Sequence, residues 1–351
     1  MGSEETIKNL HNPAASLSVD LHGGAIRDFH LQNGSGLNPL SFAFKREDMP
    51  LNNRNGAPYQ GHFICLGRWG EPSEGERKAG LPNHGQAANL NWRMLPGTAG
   101  RGLAMEVDCP LEGLHLERRL RLDSRAAVFA VEETVTNTAP LGRLYNVVQH
   151  PTLAAPFLDE QVQIRCNAAA GFNQFEDDSP ETEPLTWPYG RYRALGLPKI
   201  DLRTPSQPCT SVFSFQVDPA DAFGWITVWS PAHRLMLGYL WNRMEYPWIH
   251  LWQDWDRDYL RYLGIEFGTT AYHQPFPQLL DRGLKLFGQK TSAYLDAGSK
   301  ETRRYMGFLL ETGSADPELE IDEGGGQLSL RDGRKQLIVE TDFKEFLYGS
   351  N

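Results

Sequence analysis

Residues 114–137 read LHLERRLRLDSRAAVFAVEETVTN. Leu114, Leu116, Leu120 and Leu122 fall on alternate positions, with His115, Glu117, Arg119 and Arg121 between them. Phe129, Val131 and Val135 repeat the pattern against Glu132, Thr134 and Thr136. A period of two marks a strand with one face in a core and the other toward solvent. Asp123-Ser124-Arg125 is a hairpin-sized polar turn between the two runs.

The same period recurs outward in both directions. Strand-like runs occupy 15–21, 25–31, 143–150, 161–166, 211–217, 224–229 and 234–241, then 248–253, 259–268, 303–311 and 335–340. Only PQLLDRGLKLF (277–287) spaces its apolar residues as a helix does, and Gly283 weakens it. Many strands with turn signals between them, and no crossover helices, predict an all-β protein built as a large antiparallel β-sandwich. No repeat of propeller length is visible. No linker divides the chain, so residues 1–351 are expected to form one domain with two elaborate loops, 44–100 and 167–210.

The chain has 351 residues, with 34 Lys+Arg against 44 Asp+Glu and a formal charge of −10. That balance, with no basic cluster, argues against a nucleic-acid partner. No apolar run reaches the ~18–20 residues of a membrane-spanning helix, so no membrane association is expected. MGSEETIKNL lacks a secretory pattern, and a cytoplasmic location is expected. The cysteines Cys65, Cys109, Cys166 and Cys209 are far apart, with no C-x-x-C, and read as buried thiols rather than metal ligands or a disulfide framework.

The common nucleotide-binding, nucleophile-elbow and zinc-protease motifs are absent. Asp254-Trp-Asp256-Arg-Asp258 superficially suggests a calcium loop, but Tyr259 occupies the glycine position and Ile265 that of the bidentate glutamate. A strand-to-strand turn is the better reading, and no metal is expected. What remains is His84, in the turn Gly80-Leu-Pro-Asn-His-Gly85; His150, closing a strand before Pro151; and Glu266, between Ile265 and Phe267. Each could equally be a hydrogen-bonded core histidine or a solvated carboxylate; a buried carboxylate, by contrast, favours an active site. Six of the nine tryptophans (Trp225, Trp229, Trp241, Trp248, Trp252 and Trp255) crowd one stretch. They can fill a core or offer a ring to a pyranose.

These patches, in order along the chain, resemble the aldose 1-epimerase (galactose mutarotase-like) superfamily. His22-Gly-Gly-Ala-Ile26 is similar to its opening strand, and Gly67-Arg68, Asn83-His84-Gly85 and Trp92 to its Gly-Arg … His-Gly-Gly … Trp stretch. Glu133-Thr-Val-Thr-Asn137 with Gln149-His150 resembles the strand pair bearing the second histidine, and Gly264-Ile-Glu266-Phe-Gly268 the late strand bearing the glutamate. Gln86 replaces the second glycine of His-Gly-Gly, and the residues after His150 depart from the usual Tyr-Phe-Asn.

The resemblance implies an isomerase that interconverts the α and β anomers of a hexose without a cofactor. Glu266 would be the base and His150 the acid. His84, Arg68, Asn83, Gln149 and Trp252 would contact the sugar, and Asp254 is one choice for the family's sugar-binding aspartate. The expected partner is a monosaccharide or a sugar phosphate. Three rival readings follow. A sugar-phosphate 1-epimerase would draw on Arg27, Arg68, Arg93 or Arg191. A sugar-binding protein of the same fold would lack turnover. A glycosidase would need a second carboxylate about 5–10 Å from Glu266. The negative net charge favours a neutral sugar.

Overall fold

The computed structural model describes residues 6–96, 102–176, 179–313, 317–322, 327–332 and 335–339. Two large antiparallel sheets dominate. The strands of the ten-stranded sheet run, in spatial order, Ile7–His11, Ala15–Asp20, Ala25–Leu31, His62–Leu66, Val147–Ala154, Tyr259–Gly268, Trp248–Asp256, Ser211–Val217, Ala168–Asn173 and Leu185–Thr186. The eight-stranded sheet runs Gln163–Cys166, Phe223–Ser230, Leu235–Asn242, Lys300–Glu311, Val128–Asn137, Leu114–Leu122, Gly102–Cys109 and Arg93–Met94. Strands Pro317–Asp322, Gln327–Asp332 and Lys335–Val339 form a small antiparallel sheet of their own.

The expected 114–137 hairpin forms, with Leu116 opposite Val135 and Leu120 opposite Val131. Its apolar face meets the inner face of the ten-stranded sheet. Leu116, Leu120, Phe129 and Val131 share one buried cluster with Ile64, Val147, Leu263, Ile265 and Phe267. Phe29 packs edge-on against Phe129 at 5.0 Å, and Trp241 stacks on Phe267 at 4.2 Å, each pair joining the two sheets. The sandwich is therefore held by apolar burial between sheets, the arrangement that alternating strands make available.

The structure departs from the sequence reading in several places. Strands His62–Leu66 and Ala168–Asn173 lie within the stretches expected to be loops. His62–Leu66 is buried at every position, so HFICL shows no alternation, and AAAGFN is too small and apolar to show one either. His150 does not close its strand, which continues through Pro151 to Ala154. The helix in 277–287 is only Phe276–Asp281 and is capped at Arg282, after which Gly283 turns with φ 81°. The acidic 254–258 run, by contrast, forms the expected strand-to-strand turn, with Asp256 facing Tyr259.

Candidate active site

The site lies on the outer face of the ten-stranded sheet, and strand register assembles it. Gln149 stands opposite Phe267 and Thr152 opposite Gly264, which sets His150 across from Glu266. On the other flank His250 pairs with Glu266 and Trp252 with Gly264. Phe63 pairs with His150 from the strand His62–Leu66. Residues directly opposite in a ladder share a face, so Phe63, His150, Glu266, His250 and Trp252 all project outward. The segment 40–92 folds over them. Phe42, Met49, Tyr59, Phe63, Trp69 and Val148 form a second buried cluster, with Phe44, Trp252 and Tyr262 at its edge.

Between this cover and the sheet is a cavity of about 210 Å³, lined by Phe42, Phe44, Pro50, Tyr59, Phe63, Trp69, His84, His150, Phe175, Val212, Trp252, Glu266 and His273. Glu266 is only 1% exposed. It is not enclosed by its sequence neighbours, since Ile265 and Phe267 point into the inter-sheet core. Its surroundings are Trp69, whose Nε1–H donates to Oε2 at 2.8 Å, and His150, whose Nε2 is 3.2 Å from Oε1. Burial drives the carboxyl well above its ordinary range, partly opposed by the Trp69 hydrogen bond.

The hydrogen-bond network assigns the ring protons. The Thr152 hydroxyl donates to the His150 carbonyl at 3.4 Å, leaving its oxygen to accept from His150 Nδ1 at 2.9 Å. His150 Nε2 faces Glu266 Oε1, so a proton can pass between carboxyl and imidazole. Burial holds His150 well below the usual histidine range, so the resting pair is neutral. At His84, the Gly70 N–H donates to Nδ1 at 3.1 Å and Cys65 Sγ lies 3.2 Å from the same atom. Nε2 therefore carries the proton and is a donor. Burial also lowers His84, followed by the charges of His150 and His273. The His84 and His150 rings are 5.5 Å apart.

His273 and Trp69 belong to the same constellation and were not singled out in the sequence. The His273 ring lies edge-on to Trp69 at 4.8 Å and 6.0 Å from His84, and burial lowers it to about 4. His250 packs behind Trp69 at 4.0 Å and bonds Ser214 through Nδ1 at 2.7 Å. The only hint of Trp69 was its place beside Gly67-Arg68. His273 follows a strand end in TTAYHQPFP, where no periodicity points to it.

Of the residues expected at the site, His84, His150, Trp252 and Glu266 come together around the cavity. The other four do not line it. Arg68 turns away from its neighbour Trp69 and forks onto Glu76, with Nη1 and Nη2 at 2.7 and 2.6 Å from its oxygens. Gln149 lies on the inner face, one residue out of phase with His150, and bonds His62, Glu133 and Tyr246. Asn83 braces the turn through its backbone, its N–H to Asn53 Oδ1 and its carbonyl to the Tyr59 hydroxyl. Asp254 is paired with Arg261 Nη2 at 2.7 Å. Among the arginines considered for a phosphate, Arg93 pairs with Glu106 and Asp108 and Arg191 with Glu183; neither they nor Arg27 line the cavity. Glu266 is the sole carboxylate among the cavity-lining residues. Of the crowded tryptophans, only Trp252 reaches the cavity; Trp225, Trp229, Trp241, Trp248 and Trp255 sit in or against buried clusters.

No family profile and no curated protein matches this sequence. Solved structures do. A candidate aldose 1-epimerase from Klebsiella pneumoniae superposes with a TM-score of 0.63 at 16% identity, over 89% of this chain and 82% of the other. A galactose mutarotase related enzyme from Lactobacillus acidophilus gives 0.62 at 10% identity, over 87% and 98%. A galactose mutarotase-like protein from Clostridium acetobutylicum gives 0.61 at 14% identity, over 87% and 95%. With its two antiparallel sheets, its scarcity of helix and this agreement over most of its length, the chain has the galactose mutarotase-like fold.

Proposed function

We propose that the protein is an aldose 1-epimerase-type isomerase that interconverts the anomers of a sugar by opening and reclosing its ring. The observation that carries this reading is the hydrogen-bonded pair of Glu266 and His150, buried in the lining of the cavity. Mutarotation needs one group to take the proton from the anomeric hydroxyl and another to give one to the ring oxygen. The pair holds one transferable proton, which is the inventory this exchange requires. Moving that proton from carboxyl to imidazole creates the base and the acid together. The Trp69 N–H on Oε2 stabilises the carboxylate so formed, which supports Glu266 as the base and His150 as the acid. His84 Nε2–H is placed to hold a sugar oxygen, and Trp252 offers a ring face to the C–H side of the sugar. Rotation about C1–C2 and reclosure with the transfers reversed yields the other anomer, with no net proton change.

The test is exchange NMR of α-glucose and α-galactose anomers with and without the protein. Catalysed exchange is expected, and Glu266→Gln is expected to lower it by ~10²–10⁴-fold, the usual worth of one placed acid or base. Exchange at the full rate in that variant would overturn the base assignment. Its pH profile should be a bell, because a second proton on the pair disables the base and loss of the first removes the acid.

A further inference from the structure

The cavity lining is mostly apolar, and this deepens the epimerase reading, on which the following inference rests. We propose that the substrate is an uncharged, hydroxyl-poor cyclic hemiacetal, such as a deoxy sugar, and neither a fully hydroxylated hexose nor a sugar phosphate. Its polar side chains are Glu266, His150, His84 and His273, of which Glu266 and His150 already bond each other, Trp69 and Thr152. They serve the anomeric centre and the ring oxygen and leave few partners for further hydroxyls. The remaining wall is Phe42, Phe44, Pro50, Phe63, Phe175 and Val212.

The polar atoms of Tyr59 and of this wall are already engaged. The Tyr59 hydroxyl donates to the Asn83 carbonyl at 2.8 Å and accepts from Asn53 Nδ2 at 2.5 Å. The carbonyls of Phe42, Pro50, Tyr59 and Val212 accept from the backbone N–H groups of Gly61, Asn53, Phe44 and Gln174. The Phe175 N–H donates to Asn173 Oδ1, and proline has no N–H to give. A hydroxyl set against the buried Phe42, Phe63 and Val212 would lose its water without gaining a partner, which is costly. Among the described residues no lysine or arginine lines the cavity, so a phosphate held within it would lack a counter-charge.

The experiment compares kcat/KM for anomer exchange by NMR for four compounds: tetrahydropyran-2-ol, 6-deoxy-D-glucose, D-glucose and D-glucose 6-phosphate. The expected order places 6-deoxy-D-glucose about 10-fold or more above D-glucose, with tetrahydropyran-2-ol also accepted and the phosphate at the uncatalysed rate. D-Glucose exchanged as fast as its 6-deoxy analogue, or any catalysed exchange of the phosphate, would overturn this proposal while leaving the epimerase reading standing. No acceleration of any of the four would overturn the epimerase reading itself, and this inference with it. Val212→Thr supplies a hydroxyl on the buried wall and is expected to bring D-glucose closer to the deoxy sugar; an unchanged ratio counts against the proposal.

Discussion

Glu266 and His150 carry a burden that shows in stability as well as in chemistry. A carboxyl whose folded pKa is raised stabilises the fold fully below the unfolded value of 4.5, and that contribution is lost as pH rises toward the folded value. His84, His150 and His250 behave oppositely: lowered from 6.5, they cost nothing above that pH and cost stability as pH falls below it. The site therefore opposes folding from both sides of neutrality. Glu266→Gln keeps the shape and an acceptor for Trp69 but cannot ionise. Its melting temperature should exceed that of the wild type by a margin that grows from pH 4.5 to pH 8. A margin that stays flat across this range in thermal melts would show that Glu266 ionises without penalty. His150 and Glu266 stood out in the sequence as candidates, and their proposed roles came from the family resemblance rather than from the strand pattern. The cause of the perturbation was not legible there: the neighbours in sequence face the other way, and the residues that enclose Glu266 come from Trp69 and from adjacent strands.

At the scale of an element, the turn after Pro82 decides where His84 sits. His84 has φ 57° and Gly85 φ 83°, two consecutive residues in the left-handed region. A Cβ on Gly85 would fall 1.9 Å from the Leu66 carbonyl oxygen, which is backbone and cannot yield. The turn is fastened to the sheet by the Leu66 N–H on the His84 carbonyl and by the Gln86 N–H on Glu112 Oε1. Gly85→Ala should thus cost ~1–3 kcal/mol in chemical denaturation. It should also lower exchange activity by displacing His84, more through KM than kcat if His84 only holds the sugar. The strand Val147–Ala154 works at the same scale. Pro151 cannot donate to either neighbouring strand, yet it sits in the middle of the sheet next to His150. The turn was readable from Pro82 and Gly85; the continuation of the strand through Pro151 was not, because a proline in a central strand contradicts local preference and is held there by packing on both sides.

Across the whole molecule, a buried polar network ties the two sheets together behind the site. Arg118 Nε donates to Glu133 Oε1 at 2.7 Å, and Gln149 Nε2 donates to Glu133 Oε2 at 2.6 Å. Gln149 Oε1 is 3.1 Å from His62 Nε2, and the Tyr239 hydroxyl is 3.2 Å from His62 Nδ1. Arg118 also donates to the Gly24 carbonyl and lies over the Trp92 ring at 4.6 Å. His62, pushed down to about 3 by burial and by the Arg118 charge, stays neutral within it. Several residues that carried the family resemblance, namely Gly24, Trp92, Glu133 and Gln149, belong to this network rather than to the cavity. Arg118→Met should strand the buried Glu133 carboxylate and cost about 3–5 kcal/mol in urea unfolding. A loss below 1 kcal/mol would show that water reaches the pair.

The sequence by itself determined the class of fold, because alternation in strands such as Leu114–Leu122 leaves one apolar face that only a second sheet can cover. It also marked His84, His150, Glu266 and Trp252. Tertiary structure alone decided which neighbours line the cavity. A one-residue step along a strand reverses the face, so Gln149 goes to the core while His150 goes to the cavity. Likewise Arg68 and Trp69 part company, one onto Glu76 and the other onto Glu266. Strands without alternation, His62–Leu66 above all, revealed their place only through their partners on either side. The apolar lining of the cavity is the same kind of fact: Phe42, Phe63, Phe175 and Val212 are distant in sequence and become one wall only when the sheet and its cover close.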